Sequence, residues 1–205
     1  MKTVFVHPER CIGCKHCEIA CAVEHSQSKD LTFAMWEEPR PVPRIHVEAS
    51  PYLTTFPNKC RHCSPAPCVE ICPTGALYRD EASDTVRLHP EKCIACGMCA
   101  MVCPFDVIVF DQASYDGKFK IMNLKCDHCP DRTEHGREPA CVEICKTGAL
   151  EWGDINEIVK GGRKQFTEKV SMVMQTGDYE LTPLPENLQA LRTWQRELHD
   201  VNQQQ

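Results

Sequence analysis

The chain has 205 residues, of which 16 are cysteine and only 7 % aromatic, so large apolar side chains are scarce for a core of this length and another source of cohesion is expected. A formal charge of −6 excludes non-specific nucleic-acid binding, which needs a basic face to displace counterions. No apolar run approaches the roughly 18 residues of a membrane span, and Met1 to Arg10 lacks the apolar stretch of a secretory signal; the expected home is the reducing cytoplasm, where thiols serve as metal ligands rather than disulfides.

In chain order, Thr3 to Val6 reads as a strand leading into Cys11, Cys14, Cys17 and Cys21, spaced C-x2-C-x2-C-x3-C. The segment 22–59 is rich in proline (Pro39, Pro41, Pro43, Pro51, Pro57), and its Trp36, Tyr52 and Phe56 suit either an interface or a cover over the cysteine-bearing body. Cys60, Cys63, Cys68 and Cys72 follow, with the middle gap widened to four. Only 20 residues separate Cys72 from Cys93, and Ala76 to Arg79, a polar turn at Asp80 to Asp84 and Thr85 to Leu88 predict a β-hairpin. Cys93, Cys96, Cys99 and Cys103 repeat the first spacing, whereas Cys126, Cys129, Cys141 and Cys145 widen the middle gap to 11 around Pro130 to Ala140, expected to be a solvated loop. Ala149 to Trp152 is a candidate strand partner for Thr3 to Val6. Pro185 opens a predicted amphipathic helix to Val201, with Leu188, Leu191, Trp194 and Leu198 on its stripe.

All sixteen cysteines thus fall into four quartets, and the last gap is three residues each time. Three thiolates on a tight loop can grip one iron-sulfur cubane, while the fourth, one helical turn on, is directed away and reaches a neighbouring one. A zinc-binding interaction module is the competing reading of C-x2-C pairs, but zinc has no use for four thiols within 11 residues followed by proline, as after Cys72 and Cys103. His16, His62 and His128 lie inside the C-x2-C gaps, read no less as solvent-facing loop side chains than as neighbours that tune a cluster. Irons with complete thiolate ligation leave no open position for a substrate, and no G-x-G-x-x-G, phosphate loop or H-E-x-x-H occurs, so the chain is not expected to be an enzyme on its own.

Two echoes reveal a duplication. Thr3-Val4-Phe5-Val6-His7-Pro8-Glu9-Arg10-Cys11-Ile12 returns 82 positions later as Thr85-Val86-Arg87-Leu88-His89-Pro90-Glu91-Lys92-Cys93-Ile94, and Cys68-Val69-Glu70-Ile71-Cys72 with Thr74-Gly75-Ala76-Leu77 returns 73 positions later from Cys141 to Leu150. The short link between quartets two and three makes them one compact module and leaves the outer two free to close on each other. The expected class is α+β: two nested, pseudo-symmetric modules, the outer from 1–56 plus 111–160 and the inner from 57–110, then a C-terminal extension over 161–205 carrying the helix.

The widened second quartet and the long gap in the fourth resemble the four-cluster ferredoxin-type electron-transfer subunits of dimethyl sulfoxide reductase, formate dehydrogenase and tungsten aldehyde oxidoreductases. Cys11-Ile12-Gly13-Cys14-Lys15-His16-Cys17-Glu18-Ile19-Ala20-Cys21-Ala22-Val23-Glu24-His25-Ser26 is similar to the ferredoxin-like partner of carbon monoxide dehydrogenase. The resemblance covers roughly residues 1–155. It implies two bacterial ferredoxin-like modules and four 4Fe-4S clusters. One cluster would take Cys11, Cys14, Cys17 and Cys145 and its partner Cys126, Cys129, Cys141 and Cys21; the inner pair would take Cys60, Cys63, Cys68 with Cys103, and Cys93, Cys96, Cys99 with Cys72. Ala22 and Lys146, not proline, follow the fourth cysteines of the outer pair, and the Lys146 charge is expected to raise the potential of the cluster beside it.

The function implied is a relay of single electrons between a catalytic subunit carrying tungsten- or molybdenum-pterin or nickel and a second redox subunit or carrier, such as a flavoprotein or ferredoxin. A free soluble polyferredoxin shuttle is the alternative. The C-terminal helix is expected either to pack on its own domain or to dock on a neighbouring subunit, including by self-association. Four clusters take the formal −6 to about −14, so basic partner surfaces are expected.

Overall fold

The computed structural model describes residues 2–51 and 54–176; Tyr52 and the helix predicted over 185–201 lie outside them. The chain forms two compact units, one ending at Gly153 and the other beginning at Asp154.

The first unit mixes short strands with single-turn helices. Strand β1 (Lys2–Val6) runs into a 3-10 turn at Pro8–Arg10 and helix α1 (His16–Glu24), which carries Cys17 and Cys21. Helix α2 (Leu31–Ala34) starts at Asp30, whose carboxylate accepts from the Thr32 and Phe33 amides. Strands β2 (Ile45–Ala49) and β3 (Thr55–Lys59) pair antiparallel from Ile45 opposite Lys59 to Ala49 opposite Thr55. Helix α3 (Pro67–Glu70) carries Cys68; β4 (Leu77–Asp80) and β5 (Thr85–Leu88) form the hairpin predicted over 76–88; helix α4 (Met98–Met101) carries Cys99. Strands β6 (Val109–Tyr115) and β7 (Lys118–Leu124) form a second long hairpin, α5 (Pro130–Thr133) and α6 (Ala140–Glu143) follow, and β8 (Leu150–Asp154) pairs with β1 as expected.

Each described sheet has two strands, so no sheet builds a conventional core. Apolar side chains instead wrap the cysteines: Val4, Ile45, Val47 and Leu150 pack with Cys17, Cys21 and Cys141, and Leu77 and Val86 with Cys99. Burying an aliphatic side chain such as Val86 contributes about 2 kcal/mol. The duplicated Thr-Val…His-Pro-Glu stretches close alike: His7 N donates to Ala149 O at 2.8 Å, and His89 N to Ala76 O at 2.7 Å.

Three elements depart from the expectations. The β6–β7 hairpin, not among the predicted elements, turns at Asp116-Gly117, both at positive φ. Pro130 to Ala140 is not a freely solvated loop: it contains α5, and Arg132 is buried. In the second unit, helix α7 (Ile155–Thr176) forms where no helix was predicted, with Asn156 N donating to Asp154 Oδ1 at 2.9 Å and Glu157 in the first turn. Among the described residues no helix is long and apolar enough to cross a membrane.

Candidate functional site

None of the sixteen cysteines is paired in a disulfide. Cys17, Cys21, Cys60, Cys93, Cys99, Cys126, Cys129 and Cys141 are buried, Cys14 and Cys96 are exposed, and the other six lie between. Residues at positive φ recur in the C-x2-C loops, at Gly13 and Lys15, His62, Ala95 and Gly97, and His128. Such turns aim successive amide N–H groups into a concavity that favours anions. Gly13 is fixed twice over, by a φ of +69° and by Thr55 Cγ2, which an added Cβ would meet at 2.8 Å.

Cysteines distant in sequence come together. Cys11 and Cys145 pack against the core of Cys17, Cys21 and Cys141. Burial, helped by Glu18, Cys11 and Cys14, pushes the Cys17 thiol up to about 12. Burial and then the proximity of Cys126 and Cys129 raise Cys21, and burial followed by Cys126, Cys21 and Cys129 raises Cys141. Burial also carries Cys68 up to about 11, with Cys60 and Cys103 among its neighbours, and Cys60, Cys103 and Cys126 share a core with Val107. Cys72, Cys93, Cys96 and Cys99 line a single cavity.

Hydrogen-bond donors are aimed at the sulfurs. Asn123 Nδ2 lies 3.1 Å from Cys99 Sγ, the Arg44 amide 3.2 Å from Cys21 Sγ and the His62 amide 3.4 Å from Cys60 Sγ. At Cys72 burial works to raise the thiol, but the Leu77 amide, the Thr74 hydroxyl and further amides outweigh it and lower the pKa; at Cys145 the Thr147 hydroxyl and the Leu150 and Ala149 amides do the same. The repeated Thr-Gly-Ala-Leu is therefore a sulfur cradle, a role its sequence alone did not disclose.

The supports around this set come largely from segments read as loop or cover. Thr55 Oγ1 donates to Cys11 O at 3.0 Å, and the Val47 amide to the Glu18 carboxylate, so the β2–β3 hairpin braces the first quartet, whereas Leu31, Phe33, Met35 and Trp36 stay exposed. Asp127 accepts from His25 Nε2 at 3.2 Å, from Arg44 and from the Cys129 amide at 3.0 Å. Burial works to raise that carboxyl, but the His25 hydrogen bond and the Arg44 charge hold it well below the usual carboxylate range. Of the three histidines in the gaps, only His16 faces solvent; His62 and His128 are 1 % and 3 % exposed, which overturns the solvent-facing reading for both. Lys146 is exposed.

His62, Cys126 and His128, and likewise His25, Asp127 and Cys129, bring three ligand atoms within 4.8 Å, but each set offers a single thiol. Sixteen soft thiolates, gathered on loops with inward N–H groups, suit iron and sulfide better than mixed sites suit zinc. Fold and donor set together define an iron-sulfur protein of ferredoxin type.

Known proteins share this pattern. The 4Fe-4S dicluster domain matches residues 51–155, and a 4Fe-4S binding domain matches residues 8–24. The thiosulfate reductase electron transfer subunit PhsB of Salmonella typhi is 37 % identical over 159 residues, covering 75 % of this chain and 77 % of its own. The B subunit of anaerobic dimethyl sulfoxide reductase of Escherichia coli K12 is 33 % identical over 164 residues (76 % and 75 %), and the electron transport protein HydN of the same organism 35 % over 164 residues (76 % and 89 %). This chain belongs to the 4Fe-4S dicluster family.

Proposed function

We propose that this chain is the electron-transfer subunit of a multisubunit oxidoreductase, relaying single electrons between a catalytic subunit and a second redox subunit or carrier. The observation that carries the reading is the set of sixteen cysteines, none in a disulfide, drawn together from distant parts of the chain, of which Cys14 and Cys96 alone are exposed. Relatives named as an electron transfer subunit of thiosulfate reductase, a subunit of dimethyl sulfoxide reductase and an electron transport protein support it.

Within this reading four 4Fe-4S groups are held, in two nested modules, by Cys11, Cys14, Cys17 and Cys145; by Cys126, Cys129, Cys141 and Cys21; by Cys60, Cys63, Cys68 and Cys103; and by Cys93, Cys96, Cys99 and Cys72. The proximity of Cys21 to Cys126 and Cys129, of Cys68 to Cys60 and Cys103, and the common cavity of Cys72 with Cys93, Cys96 and Cys99 favour these sets. When bound, such groups each take up and release one electron. The chain contributes thiolate ligation, amide and hydroxyl donors to sulfur, and exclusion of water from the interior. The faces around Cys14 and Cys96, each beside an exposed isoleucine (Ile12 and Ile94), are where electrons enter and leave. The catalytic partner is a tungsten- or molybdenum-pterin or nickel subunit.

Anaerobic purification from the native host, with mass spectrometry of co-purifying chains and metal analysis, tests the proposal. A large co-purifying subunit bearing one of those metals is expected. A lone brown protein with about sixteen irons would favour a free shuttle, and a colourless zinc protein would overturn both.

A further inference from the structure

The second and fourth quartets share more than cysteine spacing. Lys59-Cys60-Arg61-His62-Cys63 returns 66 positions later as Lys125-Cys126-Asp127-His128-Cys129. A lysine beside a surface loop keeps its ammonium in water, because desolvating that charge is costly. Here Lys59 is 0 % exposed and Lys125 4 %.

Both ammonium groups are held by main-chain carbonyls in the same way. Lys59 Nζ donates to Cys60 O at 3.2 Å, and Lys125 Nζ to Cys126 O at 3.2 Å and also to Val86 O. Val86 returns the tie, its amide donating to His62 Nδ1 at 3.0 Å. The His62 and His128 rings lie against each other with centroids 4.0 Å apart.

Carbonyls orient an ammonium without neutralising it, and both lysines adjoin the place where the second and fourth quartets meet, Cys60 and Cys126 packing in one core with Val107. Lys59, of the second quartet, stands near Cys126 and Cys141 as well as Cys60, while Lys125, of the fourth, stands near Cys68. Arg61 adds a third cation at the margin, half-buried against the rings of Phe56 and Phe105 at 5.5 and 5.7 Å.

We propose that Lys59 and Lys125 are reciprocal positioning residues of the electron path: two buried ammonium groups where the second and fourth quartets meet, which make reduction easier for the two cofactors flanking the junction and so favour electron passage between the modules. A cation near a centre that gains an electron favours its reduced state, and more strongly where water is excluded. The proposal rests on the wiring reading above.

The test is an anaerobic redox titration of the full-length, iron-replete protein followed by electron paramagnetic resonance, with Lys59→Gln and Lys125→Gln, which keep a donor and remove the charge. Two of the four potentials are expected to fall by tenfold or more in the reduction equilibrium, 59 mV for a one-electron couple, with the other two moving less than twofold. An iron-replete variant whose four potentials all stay in place overturns the proposal while leaving the wiring reading intact. Wild-type protein lacking 4Fe-4S signals overturns the wiring reading itself. Should the glutamine variants lose iron, retention of two clusters out of four in both shows the same local charge acting at assembly and supports the proposal; loss of all four overturns it.

Discussion

The Arg132 guanidinium donates through Nη1 to Glu24 Oε2 at 3.0 Å, joining residues 108 positions apart. With only 9 % and 13 % of their side chains exposed, this pair is shielded enough to matter. Arg132 also bonds Glu143 and, at 2.8 Å, Glu138 O, so one side chain fastens the end of α1, which bears Cys17 and Cys21, to the segment between Cys129 and Cys145. Arg132→Met removes all three and leaves Glu24 with Lys29 at 3.6 Å. A loss of about 2 kcal/mol is expected, read as a lower midpoint for denaturant-induced loss of the brown chromophore. An unchanged midpoint would contradict the fastening role.

Removing the metal should do far more. Half of the cysteines are buried and the apolar residues pack around them, so metal-thiolate bonding takes the place of a core. Anaerobic iron chelation is expected to abolish most circular-dichroism structure of the first unit. An apoprotein that keeps its strands and near-ultraviolet signal would show that the sheets stand by themselves.

The cradle residues offer a finer adjustment. Thr74 Oγ1 lies 3.7 Å from Cys72 Sγ, and Thr147 Oγ1 the same distance from Cys145 Sγ. A hydroxyl donating to a thiolate stabilises the more negative, reduced state. Thr74→Val and Thr147→Val should each lower one potential by roughly threefold in the equilibrium, about 30 mV, with no change in iron content. Lys146→Ala should lower the potential of its neighbouring cluster by less than the buried lysines do, because its charge is exposed and screened by water; an equal or larger shift would reverse that ranking.

Much of this was legible because cysteine spacing is a metric constraint: quartets two and three, 20 residues apart, leave room for little but the β4–β5 hairpin, and the Thr3 to Val6 strand found its partner in Leu150–Asp154. The buried cations were not legible, since Lys59, Lys125 and Arg132 have the composition of surface residues and only tertiary packing shows the sulfur or carboxylate that keeps them inside. Asp116-Gly117 for β6–β7 and Asp154 with Glu157 for α7 are local signals that the sequence does carry. The bracing by the β2–β3 hairpin needed the structure, because the alternation of Ile45 and Val47 is too short to outweigh five prolines.

That same segment supplies a pH test. Both oxygens of Glu37 accept from the main chain, Oε1 from the Ser28 amide at 2.8 Å and Oε2 from the Gln27 amide at 3.0 Å, closing the loop that ends at Trp36. The hydrogen bonds to Ser28, then that to Gln27, lower the Glu37 pKa. A carboxylate depressed in the folded state contributes its stabilisation fully above the unfolded value of about 4.3 and loses it as pH falls through the lower folded value. Amide exchange at Gln27 and Ser28 should therefore be protected at neutral pH in the wild type and not in Glu37→Gln. On acidification the wild type should approach the variant only below about pH 4.3. Convergence already near pH 6 would mean that Glu37 does not hold the loop.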